Sequence, residues 1–359
     1  MREPLKLADP AIIAALHAHY AISITTLTFL PLGDDSGSAA YSVQTADGAT
    51  YFLKVRTGAG FSLPSLVAPR YFHDQGVPHV VAPLPTNAGA LWVGVNDFAL
   101  SLYPFIDGRM GADVGLSEQH WRALGATLKQ IHNDPLTPEL KQIIPREAFI
   151  PNRRSVMTDL EAAIARQAFA SPQERELAAF WRSRRDEIHR LVGRADALGS
   201  HLRQVSAPLV LCHADLHTWN VLLDTAGQLW LVDWDETILA LKERDLMFVV
   251  GGIGRDLVSL RETACFLEGY GDTVIDPIAL TYYRYAWAVQ DMAAYAERVF
   301  FMPDLGTETR REAVHGFISL FEPGNIVALA FASDGSAVNA GAGRRGLSPP
   351  YTSVSRIRE

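Results

Sequence analysis

Two cysteines, Cys212 and Cys265, are all that this chain of 359 residues contains. So few do not make a disulfide framework, and the usage fits a reducing compartment. No hydrophobic run approaches the roughly 18–20 residues needed to cross a bilayer. The opening segment, MREPLKLADP, has no apolar stretch of the kind a secretory leader carries, so a soluble cytoplasmic protein is expected. Positive charge is scarce too: 32 Lys and Arg stand against 40 Asp and Glu, a formal net charge of -8. That balance argues against a polyanion such as nucleic acid and permits a cationic partner. There is no internal repeat, and a monomer is expected. Apolar residues are plentiful, at 48% against 20% charged, enough for a large core. The length suggests about two domains.

Strand patterns and turn signals fill the first part of the chain. Pro10 to Tyr20 predicts a short helix with Ile12, Ile13 and Leu16 on one side. Ala40 to Thr45 and Thr50 to Arg56 are β-like runs, and Ala46, Asp47 and Gly48 between them predict a hairpin. Leu91 to Val95 and Phe98 to Ile106 predict a second hairpin about Asn96 and Asp97. From Ser117 the helical period takes over, with Trp121, Leu124, Leu128 and Ile131 on one face. Ser171, Pro172 and Glu174 have capping-box spacing ahead of Leu177, Phe180, Ile188 and Leu191. Pro277 to Phe300 is another long helical stretch. A strand-rich first part and a helix-rich second part, joined near Pro104 to Gly108, predict two lobes, residues 1–106 and 107–332. The segment 333–359, rich in Gly, Ala, Ser and Arg without a period, is expected to be a disordered tail.

The most informative stretch is Leu209 to Asp235, LVLCHADLHTWNVLLDTAGQLWLVDWD. The apolar run Leu209 to Cys212 ends at a polar cluster of His213, Asp215, His217 and Asn220. Val221 to Leu223 follow, Asp224 to Gln228 make a turn, and Leu229 to Val232 deliver Asp233. An Asp and an Asn thus sit on a loop between two short strands, and a second Asp ends the next strand. Kinase-type phosphoryl transfer uses that layout: one carboxylate accepts the acceptor hydroxyl's proton, while an Asn and another Asp hold magnesium. The pattern H-R-D-x-x-x-x-N maps onto His213, Asp215 and Asn220, with Ala214 in place of Arg. His213 and His217, four apart, admit a rival reading as zinc ligands if a helix puts both rings on one face. The flanking apolar runs predict strand, loop and strand instead.

Lys54 lies inside the run YFLKV. An unpaired buried ammonium is costly, so a lysine between Leu53 and Val55 needs a reason. Kinases place a lysine on the third strand against the α and β phosphates. The alternative is an edge strand with Lys54 turned to water. Upstream, Leu32 to Ser38 reads LGDDSGS, and Ser36, Gly37 and Ser38 could offer backbone N–H groups to phosphate. Asp34 and Asp35 would repel one, and an ordinary turn explains the segment equally.

Taken in order, these segments resemble the aminoglycoside and choline kinase-like phosphotransferases, relatives of the protein kinases. CHADLHTWN, VDWD and LKERDLMF carry the resemblance, which runs from Pro10 to Phe331. DETILALKERDLMFVVGGIG, FLEGYG and YYRYAWAVQD are most similar to the spectinomycin phosphotransferases within that family. The resemblance implies an α+β, bilobal protein-kinase-like fold with a small β-rich N-lobe and a larger helical C-lobe. It implies ATP, or GTP, as phosphate donor, Mg2+ as metal, and a small-molecule hydroxyl acceptor, with no nucleic acid and no membrane as partner. Asp215 would be the catalytic base, Asn220 and Asp233 the metal ligands, and Lys54 the holder of the ATP phosphates. The chain at Tyr103, Phe105 and Ile106 would meet adenine. His213 and His217 are expected to brace the loop, and so is Asp245 in ERDLMF, through backbone N–H groups.

One departure is visible. Kinases pair the strand lysine with a glutamate on the following helix, yet Thr57 to Gly76 contains no Glu, and Asp74 is its one acid. Either Lys54 lacks the usual partner or a hydroxyl such as Ser62 or Ser65 serves. A cationic acceptor would be met by carboxylates. Asp235 and Glu236, Glu268 in FLEGYG, and Asp291 on the late helix are the candidates; Glu297 reads as a solvated helix charge. Tyr270, Tyr282, Tyr285, Trp287 and Tyr295 are expected mostly in the core, with a few lining a pocket. The expected acceptor is an aminocyclitol such as spectinomycin. The alternatives are another small metabolite (choline, a sugar or a homoserine-like compound) and a catalytically inactive nucleotide-binding sensor. The missing helix Glu favours the sensor, and the intact Asp215, Asn220 and Asp233 oppose it. No A-P-E signature follows Asp233, which disfavours a protein acceptor.

Overall fold

The computed structural model describes residues 5–32, 37–254, 258–303 and 305–342, without the side chains of Ala59 and of 336–342. In chain order it begins with α1 (Asp9–Tyr20), β1 (Ile24–Leu30), β2 (Ser38–Thr45), β3 (Thr50–Thr57), α2 (Pro64–Asp74), β4 (Val93–Val95) and β5 (Phe98–Pro104). Next come β6 (Gly108–Met110), α3 (Gly111–Val114), α4 (Glu118–Asn133), α5 (Pro138–Ile143), α6 (Arg154–Ala165) and α7 (Pro172–Leu202). β7 (Val210–Cys212), β8 (Val221–Asp224), β9 (Leu229–Leu231) and β10 (Ile238–Ala240) precede α8 (Glu243–Val249), α9 (Leu260–Tyr270), α10 (Pro277–Phe300), α11 (Thr307–Ser319) and α12 (Ile326–Ala342). These elements make an α+β fold of two compact units. One comprises Met1–Pro145, Leu211–Leu239 and Cys265–Tyr270, and the other Arg146–Val210, Ala240–Ala264 and Gly271–Glu359.

In the first unit, an antiparallel sheet has the order β1-β2-β3-β5-β4. The β2–β3 hairpin turns at Gly48, whose φ of 85° suits a residue without Cβ, while Asp47 accepts from the Thr45 hydroxyl. Side chains alternate across a strand. Leu53 and Val55 therefore join Leu100, Leu102 and Ile12 and Leu16 of α1 in the core. Lys54 and Arg56 occupy the opposite face, Lys54 between Ala40 of β2 and Ser101 of β5. β3 has a neighbour on each side, which rules out the edge-strand reading of Lys54. Ile13 is 39% exposed, contrary to expectation. It lies about 100° around the helix from Ile12, whereas Leu16 returns to the Ile12 side.

The same unit contains a second sheet, β6-β8-β9, and β7 pairs with β10 in a two-stranded sheet. Ser117 caps α4 by accepting the His120 N–H, and Trp121, Leu124, Leu128 and Ile131 are buried as their spacing predicts. The expected division after residue 106 is not where the compact units part. The physical reason is pairing: Arg109 in β6 lies opposite Leu223 in β8, so the chain beyond β5 is hydrogen-bonded to the strand that follows the HADLHTWN segment.

The second unit is built around α10, which packs on α6, α7, α8, α11 and α12. Tyr282, Tyr283, Tyr285 and Trp287 are buried along it, the core role expected of most aromatics there. α12 corrects the expected tail. Its alanine-rich sequence favours helix, and residues 333–342 continue it. The Asp334 carboxylate accepts from Arg194 Nε at 2.7 Å and from the Tyr285 hydroxyl at 2.7 Å. Residues 343–359 lie outside the described residues. Among the described residues, no helix is long and apolar enough to cross a membrane.

Candidate active site

β7 ends at Cys212 and β8 starts at Val221, so the polar cluster occupies the loop between them, closed by a single 3-10 turn at Thr218–Asn220. His213 is fully buried. Its Nδ1 accepts the Asp215 N–H at 3.3 Å, so Nε2 carries the proton and donates to the Val232 carbonyl at 3.0 Å. Both ring nitrogens are thus engaged in fixing the loop, which leaves none for zinc. The ring packs on Trp234, centroids 4.7 Å apart, and Trp234 in turn meets Phe72 of α2.

Asp215 is held by Asn220. The Asn220 side-chain amide donates to Asp215 Oδ2 at 2.8 Å and to the Asp215 carbonyl at 2.8 Å. His217 Nε2 lies 3.2 Å from Oδ1. The Asn220 nitrogen being so placed, its amide oxygen is the end left for a cation. The Val232 N–H donates to the Asn220 carbonyl at 3.1 Å, which ties the loop to the residue before Asp233. Ala214 and Asp233 both have left-handed backbones, with φ of 67° and 60°. Such conformations cost about 1–2 kcal/mol for a residue with Cβ, less for Asp, and gather at sites that need an exact geometry.

Lys54 reaches the segment after β9 from β3. Its Nζ donates to Asp233 Oδ1 at 2.7 Å and to Asp235 Oδ2 at 2.7 Å. The other oxygen of Asp235 accepts from Arg56 Nη2 at 2.5 Å. Arg56 is only 2% exposed, and its Nε and Nη1 are buried with no hydrogen-bond partner among the described residues. Two cations and two carboxylates therefore balance in charge. Burial disfavours the Lys54 ammonium, but Asp233 and Asp235 outweigh it and raise its pKa. Burial would lift the Asp235 carboxyl, yet Lys54 and Arg56 hold it well below the usual carboxylate range. Burial pushes the Tyr103 phenol up, against the pull of Arg56 and Lys54.

This arrangement corrects two expectations. Asp235 is not free to meet an acceptor amine, because Lys54 and Arg56 take both its oxygens. Lys54 is not without a partner, nor is it served by the hydroxyls of α2 and the loop before it: the Ser65 hydroxyl donates to the Ser62 carbonyl at 2.7 Å. Arg56 was not among the expected site residues. Its signal was present in the strand period, which puts residues 54 and 56 on one face of β3.

The other candidates lie on several elements. Ser36 lies outside the described residues, while the Gly37 carbonyl accepts from Thr57 N–H and Ser38 pairs with Arg56 across the β2–β3 ladder. Tyr103 opposes Phe52 near the end of β5, and Phe105 and Ile106 follow once the ladder stops at Pro104. Glu236 is half-buried beside Asp235. Glu268 accepts from Arg122 Nε at 2.6 Å in an exposed pair of the kind that contributes little. Asp291, half-buried on α10, and Asp245, fully buried on α8, belong to the second unit. Glu297, also on α10, bonds Arg153 at the surface.

Known proteins share this organisation. Residues 28–273 match the family model described as the phosphotransferase enzyme family. Spectinomycin phosphotransferase, solved with ADP and spectinomycin, is 30% identical and superposes with a TM-score of 0.80, covering 92% of this chain and 99% of that one. Its AMP-bound complex, also 30% identical, gives a TM-score of 0.75 over 90% of this chain and 98% of that one. An amicoumacin kinase solved with AMP-PNP and Ca2+ is 16% identical, TM-score 0.61, covering 89% of this chain and 95% of that one, a likeness of fold. Comparison with curated proteins gave no match. The α+β architecture is the protein-kinase-like fold, and the chain belongs to the phosphotransferase enzyme family.

Proposed function

We propose that this protein transfers the γ-phosphoryl group of ATP to a hydroxyl of a small molecule, and that the acceptor is an aminocyclitol such as spectinomycin. The observation that carries the reading is the fixed carboxylate of Asp215, held through Asn220 on a loop that adjoins Asp233, which meets Lys54. In this reading Asp215 accepts the proton of the acceptor hydroxyl. The freed oxygen bonds to the γ-phosphorus, and the bond from that phosphorus to the β,γ-bridging oxygen breaks to release ADP. Lys54 holds the nucleotide phosphates, and the chain from Tyr103 to Ile106 takes the adenine. Gly37 and Ser38 stand at the start of β2, beside the end of β3, where a phosphate-covering loop would join.

The amide oxygen of Asn220 and the carboxylate of Asp233 are hard oxygen donors and fit Mg2+. When bound, the metal neutralises phosphate charge. His213 and His217 brace the loop. The aminocyclitol is supported by the 30% identity to a spectinomycin phosphotransferase along nearly the whole chain. Glu236, half-buried next to Asp235 in the chain, is the carboxylate proposed to meet a protonated amine. The test is a panel of spectinomycin, kanamycin, choline and simple sugars with labelled ATP and Mg2+. Label on spectinomycin supports the full reading. Label on choline or a sugar alone keeps the kinase and removes the aminocyclitol. Label on none favours a nucleotide sensor.

A further inference from the structure

Arg56 has no place in the chemistry above, yet it is the most deeply buried cation next to it. A guanidinium with 2% exposure needs a reason to be there, since burial of a charge is tolerated only where it is paired. Among the described residues its one ion pair is with Asp235, through Nη2, at 2.5 Å. Asp235 uses its remaining oxygen on Lys54 at 2.7 Å. The three residues form a chain in which each end fixes the middle. β3 supplies both cations from one face, at adjacent positions of the strand period. The helix that follows, α2, has no glutamate to do this, although kinases use one to orient the corresponding lysine.

We propose that Asp235 and Arg56 are a positioning pair for Lys54. Asp235 takes the part of the absent helix glutamate by holding the ammonium where the nucleotide phosphates arrive, and Arg56 keeps Asp235 from turning away. Neither touches the reacting atoms. The inference rests on the reading of Lys54 as the phosphate lysine. It also separates the acids of VDWD: Asp233 is available to a metal once nucleotide is bound, while Asp235 stays with β3.

The experiment is nucleotide binding by calorimetry for wild type, Lys54→Ala, Asp235→Asn, Arg56→Met and the double variant Lys54→Ala/Asp235→Asn. The probes are ADP and adenosine, each with Mg2+ and again with EDTA. Melting curves accompany every variant. A misdirected ammonium loses a charge-assisted phosphate contact, so ADP affinity falls about tenfold in Asp235→Asn and Arg56→Met. Adenosine affinity stays at the wild-type value, the loss persists in EDTA, and Asp235→Asn adds nothing once Lys54 is gone. A purely structural role would weaken adenosine and ADP alike. If Asp235→Asn tightens ADP, the carboxylate competes with phosphate and the proposal is overturned. A loss confined to Mg2+ makes Asp235 a metal ligand and equally overturns it. Wild-type ADP binding by Asp235→Asn beside a weakened Lys54→Ala removes the pair alone. Wild-type ADP binding by Lys54→Ala removes the phosphate lysine, and the inference with it. If Arg56→Met does not fold, Asp235→Asn, which is isosteric, decides.

Discussion

The side-chain nitrogen of Asn220 lies 2.8 Å from the carboxylate oxygen Oδ2 of Asp215 and 2.8 Å from its carbonyl oxygen. One amide group therefore sets both the direction of the proposed base and the path of the loop that carries it. The opposite end of the same amide is the proposed metal donor.

That coupling predicts an uneven mutational response at position 220. Asn220→Ala removes brace and donor together, so kcat falls on the order of 10²-fold, the scale of a misplaced reacting group, and half-maximal activity needs more Mg2+. Asn220→Asp keeps an oxygen for the metal but sets a second carboxylate against Asp215. It is expected to restore the Mg2+ response without restoring kcat. Magnesium titrations of the two variants check this. Equal kcat in Asn220→Asp and wild type would show that the amide nitrogen is not what positions Asp215.

Asp235 predicts a pH dependence of stability. Its carboxyl is held below the ordinary value of 3.8 by Lys54 and Arg56 against the opposing effect of burial. A depressed folded-state pKa contributes stability that is complete above the unfolded value and is lost as pH falls toward the folded one. Asp235→Asn should cost about 2 kcal/mol in urea unfolding at neutral pH, and the difference from wild type should shrink below about pH 4. A gap that is constant from neutral pH into acid would contradict the pairing.

Ala214 has a φ of 67°, a conformation that leaves room for glycine and for little else. Ala214→Gly relieves strain in the folded chain and adds freedom to the unfolded one, and the two effects nearly cancel. Its melting point should stay close to that of wild type, with activity retained. Ala214→Val puts a branched side chain in the same place and should lower stability by roughly 1–3 kcal/mol. Thermal melts of the two variants suffice, and a Val variant as stable as wild type would mean that the left-handed backbone is not required.

The sites of local order were legible in the sequence because local order has a local cause. The period of Trp121, Leu124, Leu128 and Ile131 was enough to give α4 and its buried face, and the alternation of apolar runs with HADLHTWN gave a loop between strands. What escaped depended on distant partners. Nothing near Lys54 in the chain announces that Asp235 will reach it, because β3 and the VDWD segment meet only once the sheet and loop are built. The same holds for Arg56, an ordinary charged residue until its strand turns out to be central. The compact units part elsewhere than after residue 106 for a related reason: β6 is too short to read by pattern, and it pairs with β8. The helix over 333–342 was hidden by composition, since alanine and glycine interleave there, and the ties of Asp334 to Arg194 and Tyr285 are long-range.

The central claim is that Asp215 acts as the base in phosphoryl transfer, and Asp215→Asn tests it most directly. The substitution keeps the size of the side chain and removes the carboxylate. The measurement is the steady-state rate of Mg-ATP-dependent phosphorylation of spectinomycin alongside the dissociation constant for ADP. The account predicts a loss in kcat of roughly 10²–10⁴-fold with ADP binding unchanged, because the base does not hold the nucleotide. A variant that keeps near-wild-type kcat would contradict it.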